Sequence, residues 1–475
     1  MAKVLFLQNV WYDYIGVMML SAVLKKAGHE SIIAIGNDFS DFRELIQKES
    51  PDMICFSLMS GLHLWANETT EQIRRLNLRV RPFVIFGGPH PTFFPNILEK
   101  SMADAICIGE GDGAIVDFAD CISRGEQPRN IENLFIKSDH EIIRNPIRSL
   151  VNLDNLPFAD RSIYYKMKYF RTNPTKSFMT GRGCPFGCTF CYNKTMRDIY
   201  HGKGSFVRHR SPENVLEEIQ QVKNEWGMKT VYFFDDTFGL NKKWVLKLME
   251  LYKKEVNLPF LCRIRADTAD EEIIAAFSEA GCVTVSFAIE TANQKIREKI
   301  LKKHITDEDI FRTAKLLKKY RIKFFTYNMV GIPEQSIEDI HETINLNIKI
   351  GTSYPWCSIF NPFPGTELAD YCIKHGYIDK EFGPDKLATT FHKSLTIKTE
   401  HYNEINNLHK FFQLSVLFPI LFPILKRAAR LKPNFFYSLI FAATYCINHL
   451  RSEKQSLTHM MILAHKNMKI MLGWK

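Results

Sequence analysis

Cys184, Cys188 and Cys191 stand as C-x3-C-x2-C within Gly183-Cys-Pro-Phe-Gly-Cys-Thr-Phe-Cys-Tyr192, just after an apolar run that reads as a strand. Three thiolates on one short loop can hold three irons of a [4Fe–4S] cube and leave the fourth iron open. A structural zinc site would need four closed ligands, and no partner pair with finger-like spacing follows. A disulfide would leave one of the three over, and the other eight cysteines are scattered singly. The spacing points to a cluster loop.

Other polar residues follow apolar runs further along. Asp235-Asp236 closes one run; neighbours on a strand face opposite ways, so one should face a pocket and the other cap the next helix. Arg263-Ile-Arg265-Ala-Asp267 closes another, where an arginine suits a ligand carboxylate or, equally, a surface ion pair. Glu290 ends a third, a costly place for a carboxylate unless it meets a polar pocket. Asn328-Met-Val-Gly331 and Asn361-Pro-Phe-Pro-Gly365 end the next two. In the first quarter of the chain, three loops stand out: Trp11-Tyr-Asp13-Tyr-Ile-Gly16, Ser57-Leu-Met59 and Gly87-Gly88-Pro-His90. Adjacent glycines let backbone approach a flat ligand closely, although such turns are also common without one. Ile108-Gly-Glu-Gly-Asp-Gly113 lacks the Gly-Lys-Ser/Thr ending of a phosphate-binding P-loop and reads as a strand-to-helix turn. No Ser-His-Asp arrangement or zinc-protease motif competes.

The elements that must position these residues come in two alternating series. Strands at 4–7, 31–35, 53–57, 83–87 and 105–108, with helices at 18–27, 41–48, 64–76 and 114–124, predict a doubly wound parallel sheet. Ligands of such sheets sit beyond the strand carboxyl ends, where the three loops lie. Alternation resumes at 176, with strands at 177–180, 230–234, 260–263, 283–288, 324–330 and 357–360 and helices between them. Six such units predict a partial (β/α)6 barrel with its site at the strand carboxyl ends. The expected fold is α/β, divided into a first domain at 1–128, a connector at 129–172 that includes a short hairpin, a barrel at 173–380 and a helical extension at 381–475.

The cysteine run resembles the signature of radical S-adenosylmethionine (SAM) enzymes. The three early loops resemble the cobalamin-binding pattern D-x-H-x-x-G, S-x-L and G-G. Forty residues separate Gly16 from Ser57, and twenty-seven separate Met59 from Gly87, nearly the family's intervals. Together they are similar to the cobalamin-dependent radical SAM enzymes over residues 1–375. The resemblance implies a [4Fe–4S] cluster on Cys184, Cys188 and Cys191. It implies SAM contacts at Phe190, Asp235 or Asp236, Arg265, Glu290 and Gly331. It implies cobalamin contacts at Asp13, Gly16, Ser57, Met59, Gly87, Gly88 and His90, with His90 equally readable as a hydrogen-bonded loop histidine. Asp13 stands where the family's lower cobalt ligand, a histidine, would be, and carboxylate is the poorer cobalt ligand. Tyr327 and Met329 replace a glycine and an isoleucine of the stretch beside adenine. The implied activity is reductive SAM cleavage with methylation of an unactivated carbon. Ring formation or oxidation without methyl transfer, as in the anaerobic tetrapyrrole cyclases, uses the same motifs. A non-catalytic cobalamin sensor or carrier is a third reading, opposed by the intact cysteines. An external donor such as flavodoxin or ferredoxin and a small-molecule substrate, lipid-like or a natural-product intermediate, complete the implied set.

Composition fits this reading. Of 475 residues, 45% are hydrophobic and 24% charged, an ordinary globular balance. Eleven cysteines with no secretory leader point to a reducing, cytoplasmic setting. The net charge of +10 is spread along helical faces and argues against nucleic acid as a partner. The stretches 408–425 and 434–450 are apolar, flank Lys426-Arg-Ala-Ala-Arg430-Leu-Lys432, and are short for a bilayer span. Two readings compete there: a helical cap over the barrel, or a segment that lies on a membrane surface.

Overall fold

The computed structural model describes residues 1–138, 141–387, 390, 392, 395–453 and 461–462. The first sheet is built from β1 (Lys3–Gln8), β2 (Glu30–Ile35), β3 (Met53–Ser57), β4 (Phe83–Gly87) and β5 (Ala105–Cys107). These pair in parallel in the order β2-β1-β3-β4-β5, so the chain reverses direction across the sheet between β1 and β3. That reversal opens a crevice beyond the strand ends.

Side-chain alternation divides each strand between two cores. Val4, Phe6, Met53 and Cys55 pack against the helices Ile15–Lys26 and Asp112–Ser123. Leu5, Leu7, Ile54 and Phe56 pack against Ser40–Glu49 and His63–Arg74. Strands apolar on both faces are stable only when helices cover both.

β6 (Leu134–Lys137) and β7 (Ile142–Arg144) continue this sheet as antiparallel strands beyond β5. The hairpin read as part of the connector instead covers the open edge of the first sheet. Its short alternating strands, with Leu134 and Ile136 buried, satisfy the unpaired backbone of β5.

The second sheet consists of β8 (Thr175–Phe178), β11 (Thr230–Phe233), β12 (Phe260–Arg263), β13 (Cys282–Glu290), β14 (Lys323–Val330) and β15 (Tyr354–Ile359). All six are parallel and adjacent in chain order, a barrel open between β8 and β15. A small ribbon, β9 (Gly181–Arg182) with β10 (Arg208–His209), brackets the cysteine loop. Outward residues such as Phe178, Val231, Phe233, Phe260, Val285 and Phe324 form the core under the helices. Helix starts carry their caps. Ser211 accepts from Asn214 N–H ahead of Pro212, and Thr306 and Ser336 open reciprocal capping boxes with Asp309 and Asp339.

Behind the first sheet's connector, Glu218 lies between Arg161 (3.0 Å) and Arg210, all three largely buried. The two guanidinium groups hold the Glu218 carboxyl below its ordinary range against the cost of burial.

The C-terminal extension packs on the β15 side. Helix Tyr402–Leu417 buries Leu408, Phe411, Phe412 and Val416 against β15 and helix Ile337–Ile350. Pro419 ends it, a short 3-10 turn and helix Phe422–Ala428 follow, and helix Phe435–Glu453 closes the described chain apart from 461–462. Tyr445 and Asn448 of that last helix reach the barrel interior, so the cap reading holds for its inner face.

Candidate active site

The cysteine loop is held on three sides. Gly183 has φ +91°, and a side chain there would run into the Phe206 carbonyl, so glycine is required for the turn. Thr189 N–H donates to Leu301 O (3.0 Å), Thr189 Oγ1 to Ile300 O (2.6 Å), and Leu368 N–H to Thr189 O (2.9 Å). Tyr192 stacks on Phe93 of the first domain at 3.9 Å and donates to Pro364 O.

All three cysteines are free thiols. Burial raises Cys184 and pushes Cys191 up to about 11, and the neighbouring thiols and Asp236 push further in the same direction. Thiols held this way become thiolates most readily where positive charge compensates them, which iron supplies. Among the described residues no three His, Cys, Asp or Glu side chains converge on a single metal ion. A cube needs no such common point, because each thiolate takes a different iron. The donor set therefore fits a cluster better than a mononuclear metal.

Arg265 lies against this loop. Its guanidinium sits 3.5 Å over the Phe186 ring, and Nη1 is 3.8 Å from Cys188 Sγ. Asp267 takes its Nε and Nη2 at 3.0 Å each, so its carboxylate partner is within its own turn. Phe190 is partly buried against the core beneath β14 and β15.

Asp235 and Asp236 divide differently from the expectation. Asp235 Oδ1 accepts from Gly181 N–H (2.7 Å), Thr180 N–H (2.9 Å) and Thr180 Oγ1 (3.1 Å), anchoring the approach to the cysteine loop. Burial pushes its carboxyl to about 7 despite these donors, and Oδ2 has no partner. Asp236 caps no helix; the following helix Lys242–Glu255 is capped by Asn241. Instead Asp236 is exposed into a cavity, where enclosure raises its carboxyl while Asn193 and Arg263 pull it down.

Glu290 is 6% exposed and sits in left-handed backbone at φ +68°. Its Oε1 accepts from Lys303 Nζ at 2.6 Å, which compensates the buried charge. Lys303 lies thirteen residues on from Glu290 in the sequence. Gly331 differs from expectation too. Leu395 of the extension covers it closely, and its N–H donates to Gln335 Oε1 (2.8 Å), so its backbone is already engaged.

Between the two sheets lies a cavity of about 340 Å³. Gly16, Ser57, Gly87 and Gly88 form one wall, and Gly183, Asp235 and Asp236 line the same space. Its apolar end runs into the first domain between the sheet (Phe6, Ile85) and the helices carrying Leu20 and Phe118. A flat group across the strand ends with an apolar tail between sheet and helix suits this shape. Gly88, at φ +90°, leaves its wall free of side chain.

Asp13, Met59 and His90 are not part of that wall. Asp13 lines a second cavity beside Thr175; burial raises its carboxyl, and Arg161 and Lys176 offset part of the rise. Met59 is 47% exposed. His90 is 1% exposed, bonds Ser60 Oγ (3.1 Å) and stacks on His63 at 4.0 Å. Burial and then His63 push it down to about 3. These contacts accord with the hydrogen-bonded loop histidine of the two readings.

The turn Gly109–Gly113 carries a function that its glycines did not announce. Asp112 takes Arg182 at 2.7 and 3.1 Å, and Glu110 takes Arg182 (3.0 Å) and Arg208. These pairs latch the first domain to the β9–β10 ribbon beside the cysteine loop. Only the two arginines flanking that loop in sequence hinted at it.

Comparison with known proteins agrees with this geometry. Residues 178–346 match the model of the Radical SAM superfamily, and residues 8–119 that of the B12 binding domain. The chain is 30% identical over 372 residues to an uncharacterized methyltransferase of Pyrococcus horikoshii, covering 77% of this chain and 79% of that one. It is 25% identical over 371 residues to the anaerobic magnesium-protoporphyrin IX monomethyl ester cyclase of Rubrivivax gelatinosus, covering 74% of this chain and 65% of the relative. In fold it is similar to the radical SAM methyltransferase TsrM of Kitasatospora setae with cobalamin and [4Fe–4S] cluster bound (TM-score 0.65, 17% identity, 78% of each chain). It is likewise similar to the cobalamin-dependent SAM radical enzyme OxsB with aqua-cobalamin and SAM bound (TM-score 0.69, 14% identity, 98% of this chain and 75% of the other). With both motifs, both domain matches and the 30% identical Pyrococcus relative in agreement, the chain belongs to the cobalamin-dependent radical SAM enzymes.

Proposed function

We propose that this enzyme transfers a methyl group from SAM to an unactivated carbon of a small-molecule substrate. The observation that carries the reading is the cavity between the sheets, whose Gly16, Ser57, Gly87 and Gly88 lining shares one space with Asp235, Asp236 and Gly183, the residue before Cys184. A cluster, SAM and cobalamin, when bound, supply one-electron cleavage of SAM and a carrier for its methyl group. The chain's own residues hold and shield. Cys184, Cys188 and Cys191 anchor the iron, and Arg265 on Phe186 screens the loop from water on one side. Asp236, exposed into the cavity, is placed to accept from an ammonium group. Glu290, paired with Lys303 in a buried place, presents its carboxylate side chain for a ribose hydroxyl. Gly87 and Gly88 give the corrin plane a wall of backbone. SAM cleavage consumes an electron, and the reading includes an external donor such as flavodoxin or ferredoxin.

Protein reconstituted anaerobically and turned over in the dark with methyl-labelled SAM tests this. Label is expected in the corrinoid fraction extracted from the protein. Recovery of all label as methionine, with SAM still cleaved, would instead favour the cyclase-type chemistry of the Rubrivivax relative.

We further infer that the enzyme works against a membrane surface. No helix among the described residues is long and apolar enough to cross a membrane. The turn between the last helices nevertheless exposes Ile420 (85%), Ile424 (66%), Phe435 and Phe436 (71% each) beside Lys426, Arg427 and Arg430. An apolar edge rimmed by basic residues suits an interface bearing anionic lipid. Sedimentation with vesicles containing about 30% phosphatidylserine is expected to carry the protein down, at least about tenfold less after I420D/F436D, given about 1 kcal/mol per basic group and more for each buried ring. Equal recovery with neutral vesicles, or no loss in the double variant, would overturn it.

A further inference from the structure

The barrel interior holds a second cavity, of about 510 Å³, within the range of small-molecule sites. It is not the aliphatic core that fills closed parallel barrels. Tyr232, Phe234, Phe325, Tyr327 and Trp356 supply its flat walls, and Ser177, Thr284, Ser286 and Ser358 line it with hydroxyls. Tyr12 and Asp13 of the first domain close one side, and Tyr445 and Asn448 of the last helix close another.

Among the described residues, one cation lines this space. Arg263 lies with its guanidinium 4.3 Å over the Phe234 ring and 5.3 Å from that of Tyr232. Tyr232 hydrogen-bonds the guanidinium, but its Nε is buried without a hydrogen-bond partner, and no carboxylate among the described residues is within ion-pair reach of it. The two acids nearby are otherwise engaged. Asp13 feels Arg161 and Lys176, which offset part of the rise that burial causes, and Asp236 is bonded by Asn193 and acts on Arg263 only over a longer distance. A half-buried guanidinium with an unpartnered nitrogen is completed best by an anion. Across the cavity, Asn448 is 2% exposed; its Nδ2 donates to Pro355 O (3.1 Å), but its Oδ1 accepts from nothing.

We propose that this cavity binds the substrate, and that the substrate is an aromatic or otherwise flat molecule carrying an oxyanion, a carboxylate or phosphate, that docks on Arg263. A hydrogen-bond donor at its far end reaches Asn448 Oδ1. The assignment rests on the methyl-transfer reading for what happens next, but not for binding itself.

Isothermal titration of the reconstituted holoenzyme with 2-naphthoate, 2-naphthyl phosphate and neutral 2-naphthamide tests it. At least one anion is expected to bind about tenfold or more tightly than the amide, as for a charge-assisted hydrogen bond. Whichever anion binds more tightly identifies the oxyanion. Arg263→Gln is expected to abolish the preference, and Arg263→Lys to keep part of it; iron and cobalt contents report whether each variant has folded. Equal affinity for anion and amide, no binding of either anion, or a preference that survives in Arg263→Gln overturns the proposal. The readout needs no turnover, so it can fail while the methyl-label result stands, and the reverse.

Discussion

Replacing Cys188 by alanine is expected to lower reductive SAM cleavage by more than about 1000-fold, beyond the 10–100-fold typical of changes around a metal's ligands. The iron content should fall from about four per chain toward zero in the same sample. The argument is electrostatic as well as coordinative. Cys184 and Cys191 are thiols that burial holds in the protonated form, and each thiolate is opposed by its neighbours and by Asp236. Iron binding at the remaining two must overcome that penalty with one fewer bond. The effect should be confined to this loop. Cys262 and Cys357 are as buried, belong to the barrel wall, and can become serine with iron content unchanged. Iron retained at the wild-type level in Cys188→Ala would remove the cluster from this loop.

What the sequence made legible and what it hid follow a physical divide. Strand positions came through because alternation and helix periodicity are local. β3 and β4 occupy 53–57 and 83–87 as their apolar runs predicted, and helix Ile337–Ile350 begins at the capping serine. The cysteines were legible for the same reason, since all three ligands share one turn. Contacts made across the fold were not. Asp235 could be read as a carboxylate at a strand end, but its partners, Thr180 and Gly181, lie just beyond the end of the neighbouring strand β8. Gly331 matched a ligand-binding pattern, yet Leu395 from the extension packs on it. Lys303 carried no sign in the sequence that the fold would set it on Glu290. The extension itself was ambiguous because its two faces do different things. Tyr445 and Asn448 close the barrel, while Phe435 and Phe436 stay outside.

Gly88→Ala is expected to separate the two halves of the site. Gly88 has φ +90°, and a Cβ would stand 2.8 Å from Leu58 N and 2.9 Å from Leu58 O. Those are the atoms that join the loops after β3 and β4: Leu58 N–H donates to Gly87 O, and His90 N–H to Leu58 O, both at 2.8 Å. The alanine must therefore either flip its backbone or part this joint. Left-handed strain and overpacking together cost about 2–4 kcal/mol. If the joint sets the wall that meets the corrin plane, that cost appears as a loss of roughly 30- to 1000-fold in cobalamin affinity. Absorbance titration of the cluster-loaded protein with hydroxocobalamin measures it directly. Iron content should stay near the wild-type value, because the cysteine loop is held by Thr189, Leu301 and Leu368 on the far side of the cavity. Wild-type cobalamin affinity in a folded Gly88→Ala protein would place the corrinoid elsewhere. Loss of iron together with cobalt would mean that the Tyr192–Phe93 stack couples the two loops more tightly than their separate hydrogen bonds suggest.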